Sequence, residues 1–258
     1  MSVATTSNYK ILFYDIETSP NLGWIWGKWE QNAMGFESEW YILSFSYKFA
    51  GEKKIHTYSL PDFKGYDKDP ENDKEICAKL WEIMDSADLV VGHNSDNFDN
   101  KKASARFFFH NFPPPSPYKT VDTLKIARRH FAFTSNKLTD LCQHLGIGKK
   151  VKTGGFDLWL GCINGDAKSW ALMRKYNAMD ITLLEGLYER LKCWATNHPN
   201  INLQASKDHQ CPVCASTKTV RRGWSNLISY RAERWRCSDC GKWSQGKREK
   251  IKSQLLKA

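Results

Sequence analysis

The chain has 258 residues, enough for one medium domain and a small one, and carries a net charge of +10 from 38 basic and 28 acidic residues. No long apolar run occurs, and the first residues lack the charged, apolar and small-residue order of a secretory leader, which argues against a membrane-spanning or secreted protein. The charge is uneven: residues 205–258 hold 13 Lys or Arg against 4 Asp or Glu, so attraction to polyanions belongs to the tail.

In chain order, the first strand is expected over 10–16, in "ILFYDIETSP". Alternation puts Ile11, Phe13, Asp15 and Glu17 on one face and Leu12, Tyr14 and Ile16 on the other. Two like charges ending an apolar strand repel one another and resist desolvation, so they need a cation, a proton or water. "WIWGKWEQN" at 24–32 follows, with three tryptophans suited to line a groove, to form a lid or to meet a partner. Further strands are expected over 40–49, 54–60, 88–93 and around 119–121, and helices over 71–86, 98–110, 123–131, 137–145 and 168–194. Three early strands followed mostly by helices predict a mixed α/β domain with a central sheet over 1–194. "FPPPSP" at 112–117 is a rigid connector, because proline ends the preceding helix and favours extended backbone. The polar segment 195–210 reads as a linker to a small domain over 211–258 with a basic tail.

Two further acidic clusters stand out. In "VVGHNSDNFDN" a buried strand ends at Gly92 and a helix is expected to start near Asn97, so Asp99 falls in its first turn at the C-terminal edge of the sheet, where open α/β sheets gather their sites. Asp96 lies in the turn as a solvated or capping residue, His93 is expected to be hydrogen-bonded structure, and Asp122 is expected to cap the helix beginning at Thr123. In "MRKYNAMDITLLEGLYERL" the stripe Leu172, Tyr176, Leu183, Leu187 and Leu191 has helical spacing, and Asp180 lies within it. The i, i+4 spacing brings Tyr176 to the face of Asp180, where a carboxylate is costly unless something positive meets it.

D-x-E ending a first strand, N-x-x-x-F-D after a later one and Y-x-x-x-D on a late helix together resemble the signature of the DEDD 3′–5′ exonucleases. This DnaQ-like, RNase H-like superfamily includes the proofreading domains of family B DNA polymerases. The tyrosine resembles the DEDDy branch, and "KTVDTLKIARR" with "NKLTDLCQHLGI" is similar to the family's region between its last two motifs. The resemblance spans roughly residues 9–194. It implies an RNase H-like mixed central sheet flanked by helices, and a site for two Mg²⁺ or Mn²⁺ ions. In that site Asp15 bridges both metals, Glu17 and Asp180 complete the first, Asp99 supports the second, and Tyr176 orients the attacking water. All-oxygen donors suit such hard cations, which in two-metal sites sit about 3.5–4 Å apart.

Of the eight cysteines, Cys77, Cys142, Cys162 and Cys193 are scattered singly among apolar residues, as reduced core cysteines are. The others, "CPVC" and "CSDC", give C-x₂-C-x₂₂-C-x₂-C, a spacing at which Cys211, Cys214, Cys237 and Cys240 enclose one tetrahedral structural Zn²⁺ in a zinc ribbon of two or three strands. A reducing, cytoplasmic setting fits both groups. Between and after these pairs, Arg221, Arg222, Arg231, Arg234, Arg236 and Lys242 interleave with Trp224, Trp235 and Trp243. Cations for phosphates and rings for unpaired bases are the parts of a single-strand nucleic-acid surface, although a ribbon this small also needs aromatics for its core. The expected function is therefore a two-metal 3′–5′ exonuclease whose ribbon aids substrate binding. Single-stranded DNA or 3′ ends are the favoured substrate, and a replication or repair protein is a candidate partner. A structure-specific endonuclease on the same fold and an inactive nucleic-acid adaptor are the alternatives, since fold and carboxylates alone do not decide where a strand is cut.

Overall fold

The computed structural model describes residues 9–29, 32–149, 151–203, 209–227 and 229–250; Glu30 and Gln31 of the tryptophan-rich stretch, residues 204–208 of the expected linker and 251–258 of the basic tail lie outside them. Lys10–Glu189 forms one compact unit, and the chain from Arg190 onward belongs to another. The first contains β1 (Ile11–Thr18), a hairpin of β2 (Leu22–Trp24) and β3 (Gly35–Ser38), β4 (Ile42–Phe49) and β5 (His56–Ser59). After a 3₁₀ turn at Leu60–Asp62 come α1 (Lys74–Asp85), β6 (Leu89–Gly92), α2 (Asp99–Phe109) and β7 (Lys119–Asp122). The rest is helical: α3 (Thr123–His130), α4 (Leu138–His144), α5 (Asp157–Ile163) and α6 (Ala167–Leu191). None of the described helices is long and apolar enough to cross a membrane.

The sheet has the order β5-β4-β1-β6-β7, with β1 antiparallel to β4 and parallel to β6, and β6 parallel to β7. It is the mixed central sheet expected from the strand pattern, and β1 lies in its middle. Both faces of β1 are covered, which explains its near-continuous apolar run. Leu12, Tyr14 and Ile16 join one core cluster with Ile76, Leu80 and Met84 of α1 and Ala103 and Phe107 of α2. On the other face Phe13 meets Tyr188 of α6 edge to face, with ring centroids 5.3 Å apart. The stripe Ile76, Cys77, Leu80, Ile83 and Met84 is what makes α1 a core helix; each large side chain buried this way contributes roughly 1.5–3 kcal/mol.

Because β1, β6 and β7 run parallel, their C-terminal ends share one edge of the sheet, and the segments leaving it carry the motif residues. The turn after β6 is tight. A Cβ on Gly92 would lie 2.3 Å from that of Ser95, so only glycine fits there, and Asn94 takes the left-handed backbone (φ 65°) that asparagine tolerates.

Several elements differ from the sequence expectation. The strand expected over 54–60 spans His56–Ser59 and closes where the 3₁₀ turn Leu60–Asp62, which contains Pro61, begins. The helix expected from 71 begins at Lys74, after Asp73, and the one expected near Asn97 begins at Asp99, which still sits in the first turn. The β2–β3 hairpin and α5 have too few periodic residues to register in sequence; the hairpin region leaves Trp24, Trp26 and Trp29 strongly exposed.

In the second unit, β8 (Thr219–Asn226), β9 (Tyr230–Cys237) and β10 (Trp243–Lys250) form an antiparallel sheet of order β10-β9-β8. The stretch expected as a linker contributes buried Ala195 and Ile201, and the Ile201 N–H donates to the Pro212 carbonyl at 3.0 Å.

Candidate active site

The carboxylates of Asp15 and Glu17 from β1 and Asp180 from α6 approach within 4.8 Å of one another. Their spacing in sequence explains this: Asp15 and Glu17 share the β1 face turned toward α6, and Asp180 lies on the α6 stripe that covers that face. Asp99, at the start of α2, opens onto the same cleft of about 640 Å³, as does Tyr176, one helical turn before Asp180. The five residues singled out in sequence therefore line one cleft. Arg128 of α3 and Lys137 just before α4, both exposed, line it as well.

Asp99 is only 4 % exposed and its Oδ1 accepts the Ile16 N–H at 3.1 Å. Burial pushes its carboxyl up to about 7, against the stabilising backbone N–H bonds and with the charges of Asp122 and Asp180 adding to the rise. A buried carboxyl in this position takes a proton or a cation. Together with the oxygen-only cluster of Asp15, Glu17 and Asp180, the donor set fits a hard divalent cation.

Three supporting residues escaped the sequence reading. Asn177, fully buried on α6, donates from Nδ2 to Asp15 Oδ2 at 2.7 Å and to the Asp15 carbonyl at 3.3 Å, while its Oδ1 accepts from Ser44 Oγ. It lies three residues before Asp180 on the same helix. Arg128 and Lys137 had no signal beyond their place in the segments quoted for the resemblance. Asp122 caps α3 as expected, accepting from Leu124 N and Lys125 N, and its Oδ1 also accepts the Asn94 N–H at 2.9 Å, tying the β6 turn to α3. His93 is structural in geometry: its ring nitrogens lie 2.9 Å from Thr123 Oγ1 and from the Asn136 carbonyl, fixing the loop that precedes Lys137. Asp96 pairs with Lys125 at 2.7 Å.

The second cluster is built of sulfur. Cys211, Cys214, Cys237 and Cys240 bring their Sγ atoms within 4.8 Å of one another, with Cys211–Cys240 at 3.6 Å and Cys214–Cys237 at 3.7 Å. A tetrahedron with metal–sulfur bonds of about 2.3 Å has sulfurs about 3.8 Å apart, so the cluster has the size of a four-thiolate site with no open position. Each Cys-x-x-Cys is followed by a left-handed residue, Ala215 (φ 60°) or Gly241 (φ 78°), whose N–H donates back to the carbonyl of the first cysteine. The cluster and three-stranded sheet together make a small zinc-ribbon fold. Of the sequence-selected residues in it, Lys242 donates to the Ala195 carbonyl, and the Trp235 ring is stacked by His209 at 4.3 Å. Arg221, Arg222, Arg231, Arg234, Arg236 and Trp243 are exposed, and Trp224 is half-buried.

The sheet order, the acidic cleft at the strand ends and the covering helix define an RNase H-like α/β domain with a C-terminal ribbon. The family model of the RNase_H superfamily matches residues 12–192, and the chain belongs to that superfamily, whose members are generally nucleases acting on nucleic acid. Among solved structures, the family B DNA polymerase from the hyperthermophilic archaeon Pyrobaculum calidifontis matches 72 % of this chain with a TM-score of 0.54 and 15 % identity. The match covers 25 % of that polymerase, so the chain spans about a quarter of its length. No curated protein matches in sequence.

Proposed function

We propose that the chain is a two-metal 3′–5′ exonuclease, with DNA the favoured substrate. The observation that carries this reading is the convergence of Asp15, Glu17 and Asp180 within 4.8 Å in a cleft that also contains Asp99 and Tyr176. Asp15, Glu17 and Asp180 would hold the first Mg²⁺ or Mn²⁺, and Asp15 with Asp99 the second. Bound there, such ions supply a hydroxide at neutral pH and stabilise charge on the leaving oxygen. The protein's own contribution is positional. Asn177 donates to the Asp15 carboxylate and so fixes its orientation. The Tyr176 hydroxyl, one turn from Asp180, orients the attacking water. Arg128 and Lys137, which line the same cleft, hold the substrate's phosphates, which carry the charge that the carboxylates repel. The ribbon, whose four thiolates would hold a structural Zn²⁺, adds affinity for nucleic acid.

The test incubates 5′-labelled single- and double-stranded DNA and RNA with Mg²⁺ or Mn²⁺, comparing the wild type with Asp15→Ala. A ladder shrinking from the 3′ end, reduced about 10²–10³-fold by the substitution, is the expected result. A discrete internal product identifies an endonuclease instead, and binding without any variant-sensitive cleavage identifies an adaptor.

A further inference from the structure

Cross-strand pairing sorts the side chains of the ribbon onto two faces with opposite electrostatic character. Arg221 pairs with Trp235, Trp224 with Glu233 and Arg231 with Glu249, so these six share one face. On that face every arginine meets a carboxylate. Arg221 Nε lies 3.2 Å from Glu233, and Arg231 forms an ion pair of 2.9 Å with Glu249. Both guanidinium groups also sit over Trp224, while the Trp235 indole N–H donates to Glu233 and its ring is covered by His209. The cations and rings of this face are occupied with one another.

The opposite face is different. Arg236 pairs with Trp243, Arg248 with Ala232 and Lys250 with Tyr230, and Arg234 is two residues from Arg236 along β9. The strand positions on this side include no Asp or Glu, and among the described residues Arg234, Arg236, Arg248 and Lys250 form no ion pair. Arg234 and Arg236 lie 5.1 and 5.9 Å from the Trp243 ring, which is 48 % exposed, and Arg248 lies 5.1 Å from Tyr230. Neither the bulge in β8 at Gly223 nor the bulge in β10 between Gln245 and Arg248 mixes the two sets, because each restores the pairing of like faces.

We propose that this second face, formed by Arg234, Arg236, Arg248 and Lys250 with Trp243 and Tyr230, is where the ribbon grips an unpaired nucleic-acid strand. Four cations without internal counter-charge call for a polyanion. An exposed indole flanked by two guanidinium groups offers a ring for a base and donors for the phosphates on either side of it. Bases within a duplex are already stacked and do not present that surface. The proposal rests on the reading that the ribbon contacts nucleic acid; it does not depend on how the strand is cut.

The test measures binding of an unpaired thymidine oligonucleotide by fluorescence anisotropy, using the full chain with Asp15→Ala to prevent turnover. Against that background, Trp243→Ala is expected to weaken binding about 5- to 150-fold. R236Q/R248Q is expected to weaken it at least about fivefold and to reduce the salt slope by about 1.4, the share of two lost phosphate contacts. R221Q/R231Q is expected to change the affinity less than twofold. Retained bound metal and an unchanged circular dichroism spectrum verify that each variant is folded. Equal losses from the two arginine pairs, no effect of Trp243→Ala in a folded variant, or equal affinity for blunt duplex and unpaired strand overturns the proposal. Each of these leaves the exonuclease reading intact if the ladder persists, whereas a missing ladder with this binding pattern defeats that reading alone.

Discussion

Asp73 and Asp99 are both buried carboxylates at the starts of neighbouring helices, 0 % and 4 % exposed, and their surroundings treat them in opposite ways. Burial opposes ionisation of Asp73, but bonds from Arg106, the Ile42 N–H and His110 outweigh it, and the carboxyl is held below its usual range. Asp99 has backbone N–H donors and carboxylate neighbours, and is pushed up to about 7. The first acid has its counter-charge within the fold and ties α1 to α2 and β4. The second has a shortage of positive charge that something from outside must meet. That contrast, more than burial or acidity, separates a structural carboxylate from a candidate ligand.

Substitutions at the two sites sharpen this contrast most. Asp73→Asn leaves the partly buried Arg106 without its partner and is expected to destabilise the unit by about 3–5 kcal/mol in chemical denaturation, with cleavage by the folded fraction unchanged. Asp99→Asn is expected to do the reverse, abolishing cleavage while leaving the denaturation midpoint unchanged or raised, because Asn Oδ1 still accepts from Ile16 N–H. A destabilised Asp99→Asn would break the comparison.

Divalent metal gives the next effect. At about 100 times its dissociation constant, Mn²⁺ is expected to stabilise the wild type by about 2.7 kcal/mol and to leave Asp15→Ala almost unmoved, as read by thermal unfolding. The pH dependence is subtler, and its sign differs between the two acids. Asp73, whose folded pKa is depressed, contributes stability present above the unfolded value near 3.9 and lost as pH falls through the folded value. Asp99, whose folded pKa is raised, contributes in the opposite sense: metal-free stability declines as pH rises from about 4 toward 7. Denaturation at intervals from pH 3 to 8 should therefore show a shallower acid limb in Asp73→Asn and a shallower neutral decline in Asp99→Asn. The smallest effect belongs to the ribbon, where Ala215→Gly relieves a left-handed alanine and is expected to change stability by no more than about 1 kcal/mol.

Local signals in the sequence were enough for much of this. Alternation in "ILFYDIET" assigns Asp15 and Glu17 to one face, Tyr176 and Asp180 are linked by one helical turn, and the paired Cys-x-x-Cys motifs announce their cluster. What escaped depends on contacts between distant segments. Nothing near Asp73 reveals that Arg106 of α2 and His110 just after it bond to its carboxylate. Asn177 reads as one more polar helix residue until β1 is laid against α6. The two faces of the ribbon are hidden because bulges in β8 and β10 shift the alternation by one residue, so that counting by twos along either strand gives the wrong side.

The outer strands of that ribbon have a further consequence. β8 and β10 are the edges of a three-stranded sheet, and an open edge is a template for pairing with another chain. Here the edges bear Arg221, Arg222, Lys247, Arg248 and Lys250. Their mutual repulsion between copies discourages edge-to-edge aggregation, so the charges protect solubility in the absence of any ligand.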